Sequence, residues 1–537
     1  MIEITDEILE SINEYKNNLK LFEEGKIENF KSFSSVMGVY KEKLTETYMM
    51  RPKIPNGIIT LDQFKEINDI SRRYSQGKMR FTTRQDIQLH SIEFKNINNV
   101  LDELIKVGIS TKDAGGDSIN NIVCSPLSGV ASNEVFDVTS YAAAITNYMM
   151  KDTKSARLPR KCKISFSNSL DDTVNATITD MGFIAKKVNG KKGFEVYIAG
   201  GLGTGAKVGI KLEEFIDHKD ALYYVQAMKQ LFNREGDRKN RFKARLRFVL
   251  QRLGEEEFRR MFNMELEKLK SEKDLILNID DTEKESSKLK NSKQWDKKYG
   301  NRIVSQKQKD YYSVEIHPQN GNMDADNLDS ILEFLTNLDY KISIRLTTMQ
   351  GFYVRDLKQE DAEKLADITS NFSSIFELYN SIVCAGPRIC KFGISNSQGL
   401  VDNIIKTFNS ETFEIKNSLP QILISGCPSS CGQPQIGAIG LSGRKKRTDS
   451  GMVPIYSVLF NGKVGPGVAR LGVVYGEIAA KKISNFLVDL AKLKLNSEYI
   501  EFVEFFENKE NEIIELIEKY SSLESFSENP DLYSDFE

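Results

Sequence analysis

Four stretches of the first half of the chain return in the second half, in the same order. MRFTTRQDIQLHSI (79–92) returns as IRLTTMQGFYVRDL (344–357), and NNIVCSP (120–126) returns as NSIVCAG (380–386). PRKCKISFSNS (159–169) lines up with PQILISGCPSS (420–430), and VYIAGG (196–201) with SVLFNG (457–462). A displacement of about 260 residues that holds across four segments marks a duplication. Such a chain folds as two related units about a pseudo-two-fold axis, sharing one cleft. The pairings set Cys124 against Cys384, and Lys161 and Lys163 against Ile422 and Ile424.

Local patterns fill in each half. LDQFKEINDISRRYS (61–75) has the apolar spacing of an amphipathic helix, 79–92 alternates as one strand, and a helix follows around 98–108. The expected organisation is an N-terminal arm (1–50), a helix-flanked strand unit (51–118), a larger α+β module (119–262) and a charged helical linker (263–312). A second strand unit (313–378), a second module (379–522) and a fraying acidic tail (523–537) complete it. The fold class is therefore α+β, internally duplicated. The acidic start MIEITDEILESINEY carries no apolar signal-like core, and no run reaches the ~18–20 apolar residues of a spanning helix. A cytoplasmic location without membrane association is expected.

With 74 Lys+Arg against 76 Asp+Glu, the chain is neither a globally basic nucleic-acid binder nor a polyacidic disordered protein. Three histidines leave little material for a histidine-built metal centre, so attention passes to the 6 cysteines. In a large chain from a reducing compartment these read as metal binding or chemistry before disulfides. Four fall in the second half: Cys384 and Cys390, then Cys427 and Cys431 inside GCPSSCGQP, whose glycines and prolines enforce a tight loop. Four thiolates from two loops suit an iron–sulfur cluster or a tetrahedral zinc, and the spacing favours the cluster because structural zinc uses tighter knuckles. Cys124 and Cys162 read as core residues.

The basic residues are patterned as well. On a single strand 79–92, Arg80 and Arg84 share a face roughly 13 Å apart, able to grip separate carboxylates of one large ligand. A salt-bridged surface strand is the plainer alternative. Lys161 and Lys163 share a face of KCKISFS about 6.6 Å apart and can concentrate charge on a compact oxyanion. RKNRFKARLR (238–247) reads as a solvated face. In GGLGTGAKVG (200–209), Gly201, Gly203 and Ala206 match a dinucleotide fingerprint, yet no βαβ unit follows, so no nicotinamide site is expected. Backbone at Gly200 and Gly201 remains available to approach another flat cofactor.

Taken together, GVYKEKLTETYMMRPKIPNGIIT, MRFTTRQDIQLH, NNIVCSPLSG, LPRKCK, the glycine run, the C-x5-C pair and GCPSSCGQP resemble the sirohaem-containing nitrite/sulfite reductase family over nearly the whole chain. The resemblance implies two ferredoxin-like half-domains, at 51–118 and 313–378, and two modules enclosing sirohaem. It implies a [4Fe-4S] cluster on Cys384, Cys390, Cys427 and Cys431, with Cys431 bridging to the sirohaem iron. Arg84, Lys161 and Lys163 match the distal anion pocket as catalytic residues, while Arg80, Gly200, Gly201 and Asn120 fall on the cofactor side. The family usually carries Arg where this chain has Asn120, and Lys163 follows the sulfite-reducing pattern where nitrite reductases tend to have Asn.

The resemblance therefore implies six-electron reduction of sulfite to sulfide, with nitrite to ammonia as the alternative. A non-catalytic iron–sulfur electron-transfer or sensing protein is the reading from another class. With no flavin module in the chain, electrons are expected from ferredoxin or, failing that, a flavoprotein donor. RKKR (444–447) is the candidate docking patch.

Overall fold

The computed structural model describes residues 4–152, 157–279, 295 and 297–536. Most of the segment between 280 and 296, central to the expected charged linker, thus lies outside the described residues.

Four five-stranded sheets carry the duplication. Two belong to the modules and share one topology. In the first, Val123–Cys124, Ile164–Ser167 and Met181–Val188 run parallel, and Lys191–Ile198 and Ile210–Asp217 continue antiparallel. In the second, Ile382–Val383, Ile422–Ser425 and Ile439–Thr448 repeat the parallel part, followed by Gly451–Phe460 and Val473–Ala479. Each module packs helices against its sheet around its own apolar core.

The other two sheets form the ferredoxin-like halves, and they exchange strands. Ile58–Ile59 of the first half pairs with Ser343–Leu346 of the second, while Asn322–Asp324 of the second pairs with Lys78–Phe81 of the first. The helix Leu61–Tyr74 starts at a Thr60–Gln63 capping box and buries Phe64, Ile67 and Ile70. Those residues join Phe81 of one half and Phe352 of the other in a single core. The arm's helix, Asp6–Glu23, buries Ile8, Ile12, Tyr15 and Leu19 in that core too.

Strand pairing corrects three sequence expectations. First, residues 79–92 are a hairpin, Lys78–Phe81 against Ile87–Ile92, with Arg80 opposite Gln88. The turn is built by Thr82, whose hydroxyl accepts from the backbone N–H of Arg84 (3.2 Å) and Asp86 (3.0 Å), with Gln85 in the left-handed region. Arg84 therefore sits at a hairpin tip, and the strand-rise separation from Arg80 does not apply. Second, Cys384 and Ser125 make equivalent backbone bonds, to Ile424 O and Phe166 O. Ser125, one residue past Cys124, is thus the counterpart of Cys384, and a one-residue slip turns a side chain to the other face. Third, Ile164 and Ile422 hold equivalent registers, opposite Met181 and Ile439. Lys161 and Lys163 consequently correspond to Leu419 and Gln421, not to Ile422 and Ile424.

The acidic segment 523–536 does not fray. Leu532 is buried with Val453 and Ile455, and ion pairs Lys482–Glu524 (2.8 Å) and Lys481–Asp531 (3.2 Å) pin it to the second module. Among the described residues no helix is long and apolar enough to cross a membrane.

Candidate active site

The cysteines leave the ends of two parallel strands. Cys384 follows Ile382–Val383, Cys427 and Cys431 follow Ile422–Ser425, and Cys390 lies on the loop after Cys384. Parallel strands end on the same edge, which gathers the two loops. The GCPSSCG turn depends on its glycines: a Cβ at Gly432 would lie 1.9 Å from Ile424 O, and one at Gly426 would lie 2.1 Å from Ser395 O. All four thiols are free. Burial pushes the Cys390 thiol up, and Cys384 and Cys427 add to it. Burial also raises Cys431, Lys161 opposes it, and the other three cysteines reinforce it. The four thus act on one another as a single electrostatic group.

Among the described residues, no three His, Cys, Asp or Glu side chains gather tightly enough to hold a single metal ion. Zinc would need its thiolates about 2.3 Å from one centre. A cubane places each thiolate on a different iron, so its ligands stand farther apart.

Facing Cys431 is a cleft lined by cations. Cys431 is open to the cleft by surface area, although protein surrounds it closely enough to raise its thiol. Burial drives Lys161 down to about 8, with Cys431 opposing and Arg245, Arg160 and Arg51 contributing. Lys163 is pushed well below the usual lysine range by burial, then by Arg84, Lys161 and Arg245. Cys162, between them, turns into the core against Met228. Arg84 donates to Asn121 O (2.5 Å) and Ile164 O (3.0 Å), and burial lowers its guanidinium to about 10. Its tip is steadied by Asn121, whose amide donates to Ile54 O and Arg84 O.

Arg80 lies elsewhere, on the cysteine side. Its guanidinium donates to Val383 O (2.6 Å), and Cys384 and Cys431 are the groups that offset its burial. Gly200 and Gly201 lie at the end of strand Lys191–Ile198, and a Cβ on Gly201 would come 2.5 Å from Arg247 Nη1. Arg247 also donates to the carbonyls of Leu202, Thr204 and Gly205 and so shapes the glycine loop. That loop faces the cysteine turn: a Cβ on Gly203 would lie 3.4 Å from Ser429 O.

The solvated-face expectation for 238–247 is corrected at its end, since Arg245 and Arg247 are buried. Arg245 pairs with fully buried Asp180 (2.6 Å), which also accepts from the Lys163 N–H (2.8 Å). The sequence reading missed Arg51, Arg245, Arg247 and Asp180. No local pattern marked the two arginines of ARLR: Arg245 is the extended residue before the helix Leu246–Leu253, and Arg247 lies in that helix's first turn. Several buried donors at the cleft have no partner, among them Arg84 Nε, Arg247 Nη1 and Asn120 Nδ2. Unpaired buried donors are costly. A large polycarboxylate ligand would satisfy them, so the residues present fit sirohaem on one side and a cluster on the other.

Four free thiols beside a group of half-buried cations suit redox chemistry on a small anion. Comparison with known proteins agrees. Residues 115–270 match the family described as "Nitrite and sulphite reductase 4Fe-4S domain". Residues 40–107 and 304–370 match "Nitrite/Sulfite reductase ferredoxin-like half domain". A ferredoxin–nitrite reductase of Leptolyngbya laminosa is 27% identical over 447 residues, covering 80% of this chain and 83% of its own. An assimilatory ferredoxin-dependent nitrite reductase of Haloferax mediterranei is 25% identical over 480 residues, covering 85% and 81%. The solved structure of the Mycobacterium tuberculosis NirA protein superposes with a TM-score of 0.75 over 94% of this chain and 97% of its own, at 21% identity.

The chain belongs to the nitrite/sulfite reductase family and is an oxidoreductase with that family's sirohaem and [4Fe-4S] cofactors. The non-catalytic alternative is set aside.

Proposed function

We propose that the chain reduces nitrite to ammonia by six electrons, drawn one at a time from ferredoxin. The observation that carries the reading is the cationic cleft of Arg84, Lys161, Lys163 and Arg245 facing Cys431. The named nitrite reductases among the relatives support nitrite over the sulfite that the family resemblance alone favoured. Cys384, Cys390, Cys427 and Cys431 would hold the cluster, with Cys431, the one open to the cleft, on the side toward sirohaem. The unpartnered donors of Arg84, Arg247 and Asn120 would meet the sirohaem periphery. When bound, the cofactor pair would supply electrons one at a time to the substrate anion.

The chain's own residues do the rest. Lys161 and Lys163, desolvated, hold the anion and polarise its oxygens. A lysine brought down to about 8 gives up a proton near neutral pH far more readily than an exposed one, which suits the repeated protonations of the reaction. Arg84 fixes the anion from the hairpin tip. The Arg245–Asp180 pair keeps the Lys163 backbone in place. Residues 119–262 thus supply the anion side and 379–522 the cluster side.

Sulfite to sulfide is the second reading, and Lys163 is the residue that favours it. A second lysine adds charge that a dianion exploits more than nitrite does. The test is turnover of the holoenzyme with a reduced one-electron donor, on nitrite and sulfite separately. We expect the higher kcat/KM on nitrite, and Lys163→Asn should weaken sulfite turnover more than nitrite turnover. A wild-type enzyme that prefers sulfite would overturn the first reading.

For the donor, the exposed run Arg444–Arg447 lies within the second module's strand Ile439–Thr448. Arg444 O accepts from Ser395 Oγ (3.3 Å), five residues past Cys390. An acidic protein such as ferredoxin would dock there by charge. The free thiols suit the reducing cytoplasm.

A further inference from the structure

The segment 523–536, unused by the reaction, ends beside a cysteine. The Asn396 backbone N–H donates to Asp535 Oδ2 (2.8 Å), and its side-chain amide donates to Phe536 O (3.1 Å). Phe536 is held in turn by Lys481, whose ammonium stands 4.8 Å from the ring centre. The next residue, Ser397, is fully buried and opens the helix Ser397–Phe408. Its hydroxyl lies 3.1 Å from Cys384 Sγ and 3.3 Å from Cys384 O. The Gly426 N–H reaches the same sulfur at 3.2 Å.

We propose that residues 523–536 form a strap that positions Ser397 as a hydrogen-bond donor to the Cys384 thiolate and so sets the reduction potential of the cluster. The inference rests on Cys384 being a cluster ligand. A ligating sulfur is deprotonated and can only accept, so the hydroxyl turns from the carbonyl to the charged sulfur, where the bond is stronger. Donors to cluster sulfurs favour the more negative, one-electron-reduced state and raise the potential. The N-terminal end of a twelve-residue helix adds positive field at the same atom. Asp535 holds Asn396 and the start of that helix to the strap, so loosening it lets the Ser397 hydroxyl drift from the sulfur.

The test uses the full-length holoenzyme, with iron content, air-bleaching rate and a redox titration followed by EPR. Ser397→Ala should keep its iron and show a lower cluster potential. Asp535→Ala should shift the potential in the same direction by less and bleach faster in air. Asp535→Asn, which keeps an acceptor oxygen, should behave as wild type. Should Ser397→Ala lose iron, Ser397→Thr should restore both iron and potential; a threonine variant as defective as the alanine one would overturn the proposal. A fully loaded Ser397→Ala protein at wild-type potential would overturn it too, as would Asp535→Ala with wild-type potential and bleaching. Full iron in Cys384→Ala would instead refute the ligand assignment beneath it.

Discussion

The two modules have the same sheet and the same turns but opposite chemistry. Asp172 and Ser430 share a left-handed turn position, as do Asn175 and Gln433, and the last two touch across the pseudo-dyad at 3.1 Å. The Thr83 hydroxyl donates to Cys431 O just as that of Thr348 donates to Thr173 O. These equivalences place Ser125, Ala131, Ser169 and Thr173 where the second module has Cys384, Cys390, Cys427 and Cys431. In the first module Ser125 Oγ and Thr173 Oγ1 bond to each other at 2.9 Å, whereas the four thiols of the second form no disulfide. The hairpin tips differ in the same way. Arg84 reaches the cationic cleft, whereas its counterpart Met349 packs with Ile178, Ile382, Leu423 and Ile436. Duplication offered two equivalent positions, and side-chain chemistry put the four cysteines in one module and the lysines Lys161 and Lys163 in the other.

The sharpest way to break this comparison is to exchange the halves' chemistry. Cys427→Ser or Cys431→Ser should strip most of the bound iron, while Ser169→Ala and Thr173→Ala should leave it at the wild-type level. Iron and acid-labile sulfide counts check both. Next in size, Arg84→Met should lower kcat/KM by about 100-fold or more through loss of a preorganised cation. The reciprocal Met349→Arg should gain no second activity and should cost about 1–3 kcal/mol in denaturant unfolding, because it sets an unpaired charge against a partly buried apolar cluster.

The smallest effect concerns Asp172. Burial outweighs its bonds from Thr177 and Ala176 and raises its carboxyl from 3.8 to about 6. Its folded pKa lies above its unfolded one, so the folded state holds more protons between about pH 4 and 6. Stability contributed by Asp172 is present at the acid end and lost, by about 2–3 kcal/mol, as pH rises through that window. Asp172→Ser, the second module's residue, should flatten that slope, as read from denaturation midpoints at several pH values. An unchanged slope would show that Asp172 is ionised throughout.

Much of the site was legible because it is written in local chemistry. The C-x5-C pair and GCPSSCGQP mark out four cysteines as candidate ligands, and alternation in KCKIS separates Cys162 from its flanking lysines. The hairpin was harder. TTRQD carries no glycine or proline, so nothing in its period-two pattern marks a turn; the turn comes from the Thr82 hydroxyl and a left-handed Gln85. Arg245 and Arg247 looked like surface charge because Asp180, Gly201 and the Gly205 carbonyl, which receive them, are distant in sequence.

By itself the sequence determined the duplication, the ownership of the cysteines, the family and the kind of ligand the chain must carry. Each of these follows from residue identity and short-range spacing. The tertiary structure alone decided the strand exchange between halves, the pairing of Cys384 with Ser125, the company of Arg80, Lys161 and Lys163 around Cys431, and the docking of the acidic segment against Asn396. Those depend on register and burial between segments far apart in the chain. A one-residue slip in register leaves composition and motif intact but sends the side chain to the opposite face, and only the packed cores fix it.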